Sequence, residues 1–540
     1  MADPNTHPWG YYCGNSTDSS ANGTIDIWKP VCGWVSAGND RGTIDILWSS
    51  NLTIFLCVWV ATHPNALGHG EKWWHAAIDK FNLAAIGLLG PDFLFGIAVG
   101  QLASARKSVK EFKKLPKRIR GDKKWTLKHA FFVDMGGIHL KSPDYGRFPI
   151  NAAQLLYLIK NEYVVYPDME AMAISERNSV DALSRIITMW QAILFCIKEG
   201  DRLRLGLPIT PLELTALSFT FVMFSTSIGW FYKPTITCPQ DTETETAIEF
   251  IRKKARQTTH PDLPHEWFQT PLAFVSRQEF RIATHWSYYT RLCDMMHLHL
   301  FVRPMDTSPT VFRPYLKRPW SRIPSDIWMP IGLSLWIPSI FVMALFSCSF
   351  MFGWNFFFPS ETERKLWRVC ATYHMIFSLY GGIYYSFEVW RSYRRLKNSK
   401  ALPLSIAIED PESQRHQSQS NDKEYAALPT CTSIATEDAR SQRHQIHSSS
   451  APNIKLHVQA KAWGRSAHRW IGKWRNISPD QNPDMAVPLR VVIPTTIFCA
   501  LYVFCRAYFY LEDSLSLRVQ PQGTYMTGDK ILPFIATPVL

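Results

Sequence analysis

Apolar residues in this chain fall in long blocks separated by polar stretches. About 17–25 mostly apolar residues suffice to cross a bilayer as a helix. Ile327–Met351, with SLWIPSIFVMALF, and Pro488–Tyr510, with VVIPTTIFCALYVF, meet this most clearly. Leu212–Phe231 and Leu366–Glu388 come close behind. Ile44–Ala61 reaches the lower length limit with Asn51 inside it, and Asp181–Ile197 is weaker because it carries Arg185. Phe81–Ala103 is long enough but holds Gly90-Pro91-Asp92 at its centre. The pattern predicts an all-α membrane protein with six or seven transmembrane helices, long cytoplasmic loops and a disordered linker.

On this reading 1–43 is an N-terminal, luminal segment. Residues 44–103 hold the first span and a second segment that either crosses or re-enters. A basic cytoplasmic loop, 104–180, leads to a helical hairpin, 181–231, and a large loop, 232–326. A second hairpin, 327–388, precedes a linker, 389–487, then the last span, 488–510, and a tail, 511–540. The linker contains a duplication: Glu409-Asp-Pro-Glu-Ser-Gln-Arg-His-Gln417 returns as Glu437-Asp-Ala-Arg-Ser-Gln-Arg-His-Gln445. Two copies are too few for a solenoid, and the composition cannot bury a core. Ala462–Trp474, basic and Trp-rich, reads as an interfacial helix.

Composition agrees with a membrane location. Among 540 residues aromatics reach 14%, with 21 Trp, while charged residues are only 19%. Buried helices of a large soluble protein are the competing reading; Trp, Tyr and Arg flanking the apolar blocks count against it. Mean hydropathy is −0.11, too polar for a compact transporter made mostly of helices. The net charge of +13 sits largely in runs beside spans, Arg106–Lys128 and Arg391–Lys400 among them. Attraction to anionic lipid explains such runs, so no nucleic-acid partner is implied. The expected partner is the lipid bilayer.

Sidedness is contested. Lysine and arginine near span ends mark the cytoplasmic side. Both basic runs and the 233–326 loop then lie inside. Sequons at Asn15 and Asn22, and a disulfide within reach of Cys13 and Cys32, favour an external N-terminus with glycosylation at both asparagines. That arrangement requires 81–103 to re-enter; if it crosses, the N-terminus lies inside.

Ionisable groups within apolar spans are the first candidates for chemistry, because burying them costs several kcal/mol. Asp92, His374, Arg506 and Glu213 stand out as candidate catalytic residues, and Asp92, His374 and Arg506 together suggest a proton relay or an anion site. The competing reading is that each is satisfied structurally or snorkels to the interface. No metal site is expected: His297-Leu-His299 lacks completing ligands, and His265-Glu266 lacks the second histidine of a zincin. Walker A, GxSxG and paired Asp-rich motifs are missing, so no cofactor is predicted.

Several segments resemble a large fungal family of multi-spanning membrane proteins. They include Arg41-Gly-Thr-Ile-Asp-Ile-Leu-Trp48 with His63-Pro-Asn65, Gly90-Pro-Asp-Phe93, and Trp125 through Met135-Gly-Gly137. Ile209-Thr-Pro-Leu-Glu213, Trp230, Lys233-Pro234, Trp354-Asn355, Pro359, Leu366-Trp-Arg368, Leu501-Tyr-Val, Arg506, Glu512 and Leu517-Arg518 complete the pattern. The resemblance implies an integral membrane location, endomembrane or plasma membrane, and no particular activity. Members often carry a carboxylate where Asp92 stands, and such genes can lie beside specialised-metabolite pathways. The expectation is an accessory or scaffold component, contacting pathway proteins through the 232–326 and 389–487 loops. The alternatives are a membrane-embedded cyclase or isomerase on a lipophilic substrate, and a transporter or receptor.

Overall fold

The computed structural model describes residues 27–38, 40–68, 70–167, 179–235, 239–276, 280–298, 318–401, 472–477 and 482–527. Asn15, Asn22, Cys13, His299 and the linker duplication lie outside them. The chain forms two compact units, one of Met1–Val389 with Arg475–Leu540 and one of Trp390–Trp474.

The first unit, which holds Asp92, Glu213, His374 and Arg506, is mostly helical. Four helices are long and apolar enough to cross a membrane: α1 (Thr43–Ala61), α7 (Pro211–Gly229), α10 (Leu333–Ser349, continued as a 3₁₀ turn to Asn355) and α12 (Leu489–Leu515). They coincide with four of the predicted spans. Asp181–Ile197 and Leu366–Glu388 are helical too, inside α6 (Ser179–Arg204) and α11 (Glu361–Ala401). Neither longer helix is among the four that qualify by composition.

Phe81–Ala103 is not one helix. It is the end of α2 (Trp73–Leu89) and the start of α3 (Pro91–Lys113), which meet at Gly90. Proline at the first position of α3 lacks the amide that a continuous helix would use, which ends α2 and starts α3. A side chain at Gly90 would strike the Phe93 ring at 2.4 Å, so the turn between the helices admits only glycine.

Contacts between helix ends fix their course. At one end, β1 (Pro30–Cys32) pairs antiparallel with β5 (Val519–Pro521), Val31 opposite Gln520, so the two terminal regions of the chain meet. Arg202, at the end of α6, donates to the Met526 and Thr524 carbonyls at 2.6 and 3.0 Å. Here too lie the starts of α1, α7 and α11. At the opposite end, α1 runs out at Ala61, α7 at Gly229, and α3 passes into a folded lobe.

The lobe corrects the expectation of a purely α fold with separate loops. Residues 104–167 and 239–276 share one core. β2 (Ile138–Ser142) pairs antiparallel with β3 (Gly146–Pro149) and parallel with β4 (Gln240–Glu243), Leu140 facing Thr242. α4 (Leu127–Asp134), α5 (Ala152–Lys160) and α8 (Ile248–Thr258) pack on the sheet through Phe131, Leu155 and Ile251, all buried. Phe112 stacks on Trp125 at 3.8 Å and fastens the end of α3 into that core. Two sequence-distant loops thus make one body. After the lobe comes α9 (Arg281–Met295), and segment 325–331 lies along α3, where a Cβ at Gly100 would come within 2.9 Å of the Met329 backbone.

Candidate functional site

The interrupted hairpin creates the polar centre of the bundle. A helix end exposes carbonyls without partners, and a helix start exposes amides. At Gly90 both occur side by side among apolar helices. Helix α12 answers them with a stripe at four-residue spacing: Tyr502, Arg506 and Tyr510.

Arg506 Nε donates to the Leu89 carbonyl at 3.2 Å, and Tyr510 donates its hydroxyl to the Leu88 carbonyl. Arg506 also donates to Tyr510 Oη at 3.2 Å and stands over the rings of Phe219 and Phe350 at 5.1 and 5.2 Å. A cation beside the last carbonyls of a helix is favoured by the helix dipole, and aromatic faces add cation–π attraction. Asp92 occupies the first turn of α3, where a carboxylate is favoured. It is buried and accepts from Tyr502 Oη at 3.2 Å. Arg506 lies within its electrostatic reach.

His374, from α11, joins through its ring. It stacks on Tyr502 at 5.4 Å and meets Phe350 edge-on at 4.9 Å. Three predicted residues, Asp92, His374 and Arg506, are therefore neighbours. By helical rise Arg506 lies about 13 Å from the α12 end at Leu515, well inside the bundle. Tyr502 and Tyr510 escape a search for ionisable groups, although their spacing from Arg506 marks one helix face.

Glu213 lies elsewhere, at the start of α7. Its Oε2 accepts from the Thr210 amide at 2.9 Å, while Thr210 Oγ1 accepts from the Glu213 amide at 3.2 Å. This reciprocal pair is a capping box. Its other oxygen contacts Arg41 at 2.5 Å, and Arg41 also reaches Glu199 at 3.5 Å. The buried acid thus caps a helix and ties it to the start of α1.

A second polar centre closes the lobe end of the bundle. Lys233, 1% exposed, comes just after α7. Its Nζ donates to the His63 carbonyl at 2.7 Å, Asn65 Oδ1 at 2.9 Å and Gln101 Oε1 at 3.0 Å, and stands 4.8 Å from the Trp230 ring centre. Three neutral oxygens match the three N–H bonds of an ammonium, yet none is a carboxylate. Burial pulls the Lys233 pKa down to about 7. Burial first, and then Arg185, hold neighbouring His63 well below the usual histidine range. Asn65 also donates to the Pro324 carbonyl at 2.9 Å, and Gln101 to the Ser325 carbonyl at 3.2 Å. The cage therefore joins α1, α3, α7 and the 321–326 segment. Lys233 is not an evident site from sequence, because its only mark is a Lys-Pro after an apolar block.

Among the described residues no cluster of His, Cys, Asp and Glu could hold a metal ion. Cys32, the last residue of β1, is disulfide-bonded. The cysteines of the apolar helices, Cys57 and Cys505 among them, are free. No curated protein and no solved structure matches the chain. Residues 19–250 match the model of a family of unknown function (DUF8562), a stretch that takes in the hairpin with Asp92, the Glu213 cap and the Lys233 cage but not α11 or α12.

Proposed function

We propose that this chain is a polytopic membrane protein and a non-enzymatic accessory or scaffold component, with the lobe as its presenting surface. In this reading α1, α6, α7, α10, α11 and α12 cross the bilayer, and the α2–α3 hairpin enters and leaves from the lobe end. An even number of crossings agrees with the pairing of β1 and β5 at one end. The Arg106–Lys128 run belongs to the other end, which the positive-inside rule makes cytoplasmic. A disulfide-bonded Cys32 suits the opposite, oxidising side. Irregular backbone at membrane depth is tolerated where protein surrounds it, which is the setting of Gly90.

One observation carries the functional reading. The charges inside the bundle are engaged with helix ends: Arg506 with the Leu89 carbonyl, and Glu213 with the Thr210 cap. Such roles hold a fold together and need no substrate. A membrane-embedded enzyme is the second reading, favoured by Arg506 Nη1, which is buried without a hydrogen-bond partner among the described residues. A specialised-metabolite pathway, in a fungal host, is the proposed setting for either.

The test complements a deletion strain with wild type or Asp92→Asn and compares protein abundance, location and the metabolites of cells and medium. The scaffold reading expects any phenotype of Asp92→Asn to track its abundance. A variant of normal abundance and location that accumulates an intracellular precursor would overturn it in favour of chemistry.

A further inference from the structure

We infer that the lobe carries a binding site for a small organic anion with a planar apolar body, in the cleft between α8 and residues 264–268. This goes beyond the scaffold reading and does not depend on it. The cleft has a volume of about 840 Å³ and is lined by Tyr145, Phe250, Lys253, Arg256, His265 and Trp267, among others. Small-molecule sites typically fall between about 300 and 1,000 Å³.

One wall is fixed in advance. Arg252, 3% exposed, donates to the carbonyls of Pro271 at 2.7 Å, Pro264 at 2.8 Å and His265 at 3.2 Å. That guanidinium wraps the 264–271 segment around α8 and leaves its own charge at the back of the cleft, held by these carbonyls, with Glu249 in electrostatic reach. In front of it stand Lys253 and Arg256. The cleft's two acids, Glu249 and Glu266, are outnumbered by its three cations, Arg252, Lys253 and Arg256; Glu249 accepts from the Tyr145 hydroxyl at 3.2 Å and acts on Arg252, and Glu266 is exposed. Tyr145 in turn accepts from Trp267 Nε1 at 3.3 Å, so the aromatic floor is also held in place.

Arg256 is the least satisfied member. Its Nη1 lies 2.8 Å from His265 Nδ1, and its Nε has no partner among the described residues. Arginine has donors only, so in this contact the guanidinium can find no more than a ring nitrogen as acceptor. An imidazole offers a guanidinium no counter-charge, whereas the guanidinium's planar fork suits a phosphate or carboxylate. Phe250, 55% exposed, with Trp267 and Phe268 offers apolar faces for the rest of such a ligand. An anion entering the cleft would displace exposed His265 and take both donors of Arg256.

AMP joins a phosphate to a planar ring and serves as the probe, with inorganic phosphate as its comparison. The full chain, in nanodiscs of uncharged lipid, is titrated with each by calorimetry. AMP is expected to bind more tightly than phosphate, and Arg256→Gln and Lys253→Gln each to weaken AMP binding, by about tenfold or more for Arg256→Gln. Both residues lie at the cleft surface, so the lobe should stay folded, which limited proteolysis checks. No AMP binding by wild type at millimolar concentration, or equal affinity in wild type and a folded Arg256→Gln, overturns the site. Equal affinity for AMP and phosphate overturns the planar body.

Discussion

Tyr502 and Asp92, more than four hundred residues apart in sequence, meet inside the bundle, where the tyrosine hydroxyl donates to the carboxylate at 3.2 Å. The contact matters because Asp92 begins a helix that starts in the interior. Four residues along α12, Arg506 answers the end of the preceding helix at the Leu89 carbonyl. One helix face thus reads both halves of the break, and the hairpin and α12 depend on each other.

That dependence sets an order of severity. Asp92→Asn retains an oxygen for Tyr502 to bond and should cost about 1 kcal/mol. Arg506→Leu removes the cation from the α2 carbonyls and from Asp92 together, with an expected cost of about 3–5 kcal/mol. Arg506→Lys keeps the charge but not the fork, and should fall between them. Thermal unfolding in detergent, monitored by size-exclusion retention, gives the ranking. Asp92→Asn as damaging as Arg506→Leu would contradict it.

Lys233 makes stability depend on pH in a stated direction. Its folded pKa of about 7 lies below the ordinary lysine value of 10.5. Between these values the unfolded chain holds a proton that the folded chain has lost, so stability rises with pH across that window. Below about pH 7 both states are protonated, and the full cost of burying the charge applies. The other groups that act on this centre, His63, Arg185 and Lys80, bring no carboxylate to reverse the sign. The slope from this one group approaches about 1 kcal/mol per pH unit. Melting curves of wild type and Lys233→Met should therefore separate between pH 7 and 10, wild type gaining relative to the variant. Lys233→Arg, which cannot discharge, should also lose the gain. A wild-type-minus-variant difference that stays flat with pH would remove Lys233 from the account.

Topology can be checked independently. Tags at either terminus should both be protected from protease in sealed microsomes, and a tag in the 104–180 loop should be digested. The shift on endoglycosidase treatment should vanish in an Asn15→Gln/Asn22→Gln double variant. A digested C-terminal tag beside a protected N-terminal one would require an odd number of crossings and would refute the six-helix arrangement.

Much of this architecture is legible in the residues for plain reasons. An apolar run of bilayer length announces a helix by itself, which is why four helices long and apolar enough to cross a membrane appear where Ile44–Ala61, Leu212–Phe231, Ile327–Met351 and Pro488–Tyr510 predict them. Gly90-Pro91 announces a break because proline and glycine act on the local backbone. Asp92, His374 and Arg506 stand out as costly residues in apolar surroundings, and they do assemble. What stays hidden is non-local. The parallel pairing of Leu140 with Thr242 joins two loops whose sequences give no hint of each other. Tyr502 looks like any interfacial aromatic until its hydroxyl is seen on Asp92. The Lys233 cage draws oxygens from His63, Asn65 and Gln101, a set that only the packing of three helices collects.

Glu213 separates a capping role from a catalytic one. Glu213→Gln preserves an acceptor for the Thr210 amide and loses only the ionic contact with Arg41, which keeps a second acid in Glu199. Glu213→Ala loses the cap as well, which alone costs about 1 kcal/mol, and leaves Arg41 and Thr210 short of a partner in a buried setting. Thr210→Ala removes the other half of the box while leaving the acid in place. If Glu213 serves the fold, Thr210→Ala and Glu213→Gln should be similarly mild, Glu213→Ala clearly worse, and any loss of function should track melting temperature in all three. An acid that donates or removes a proton in a reaction would give a different pattern: Glu213→Gln inactive at unchanged melting temperature, and Thr210→Ala active. Measuring both quantities on the same three purified variants decides between them.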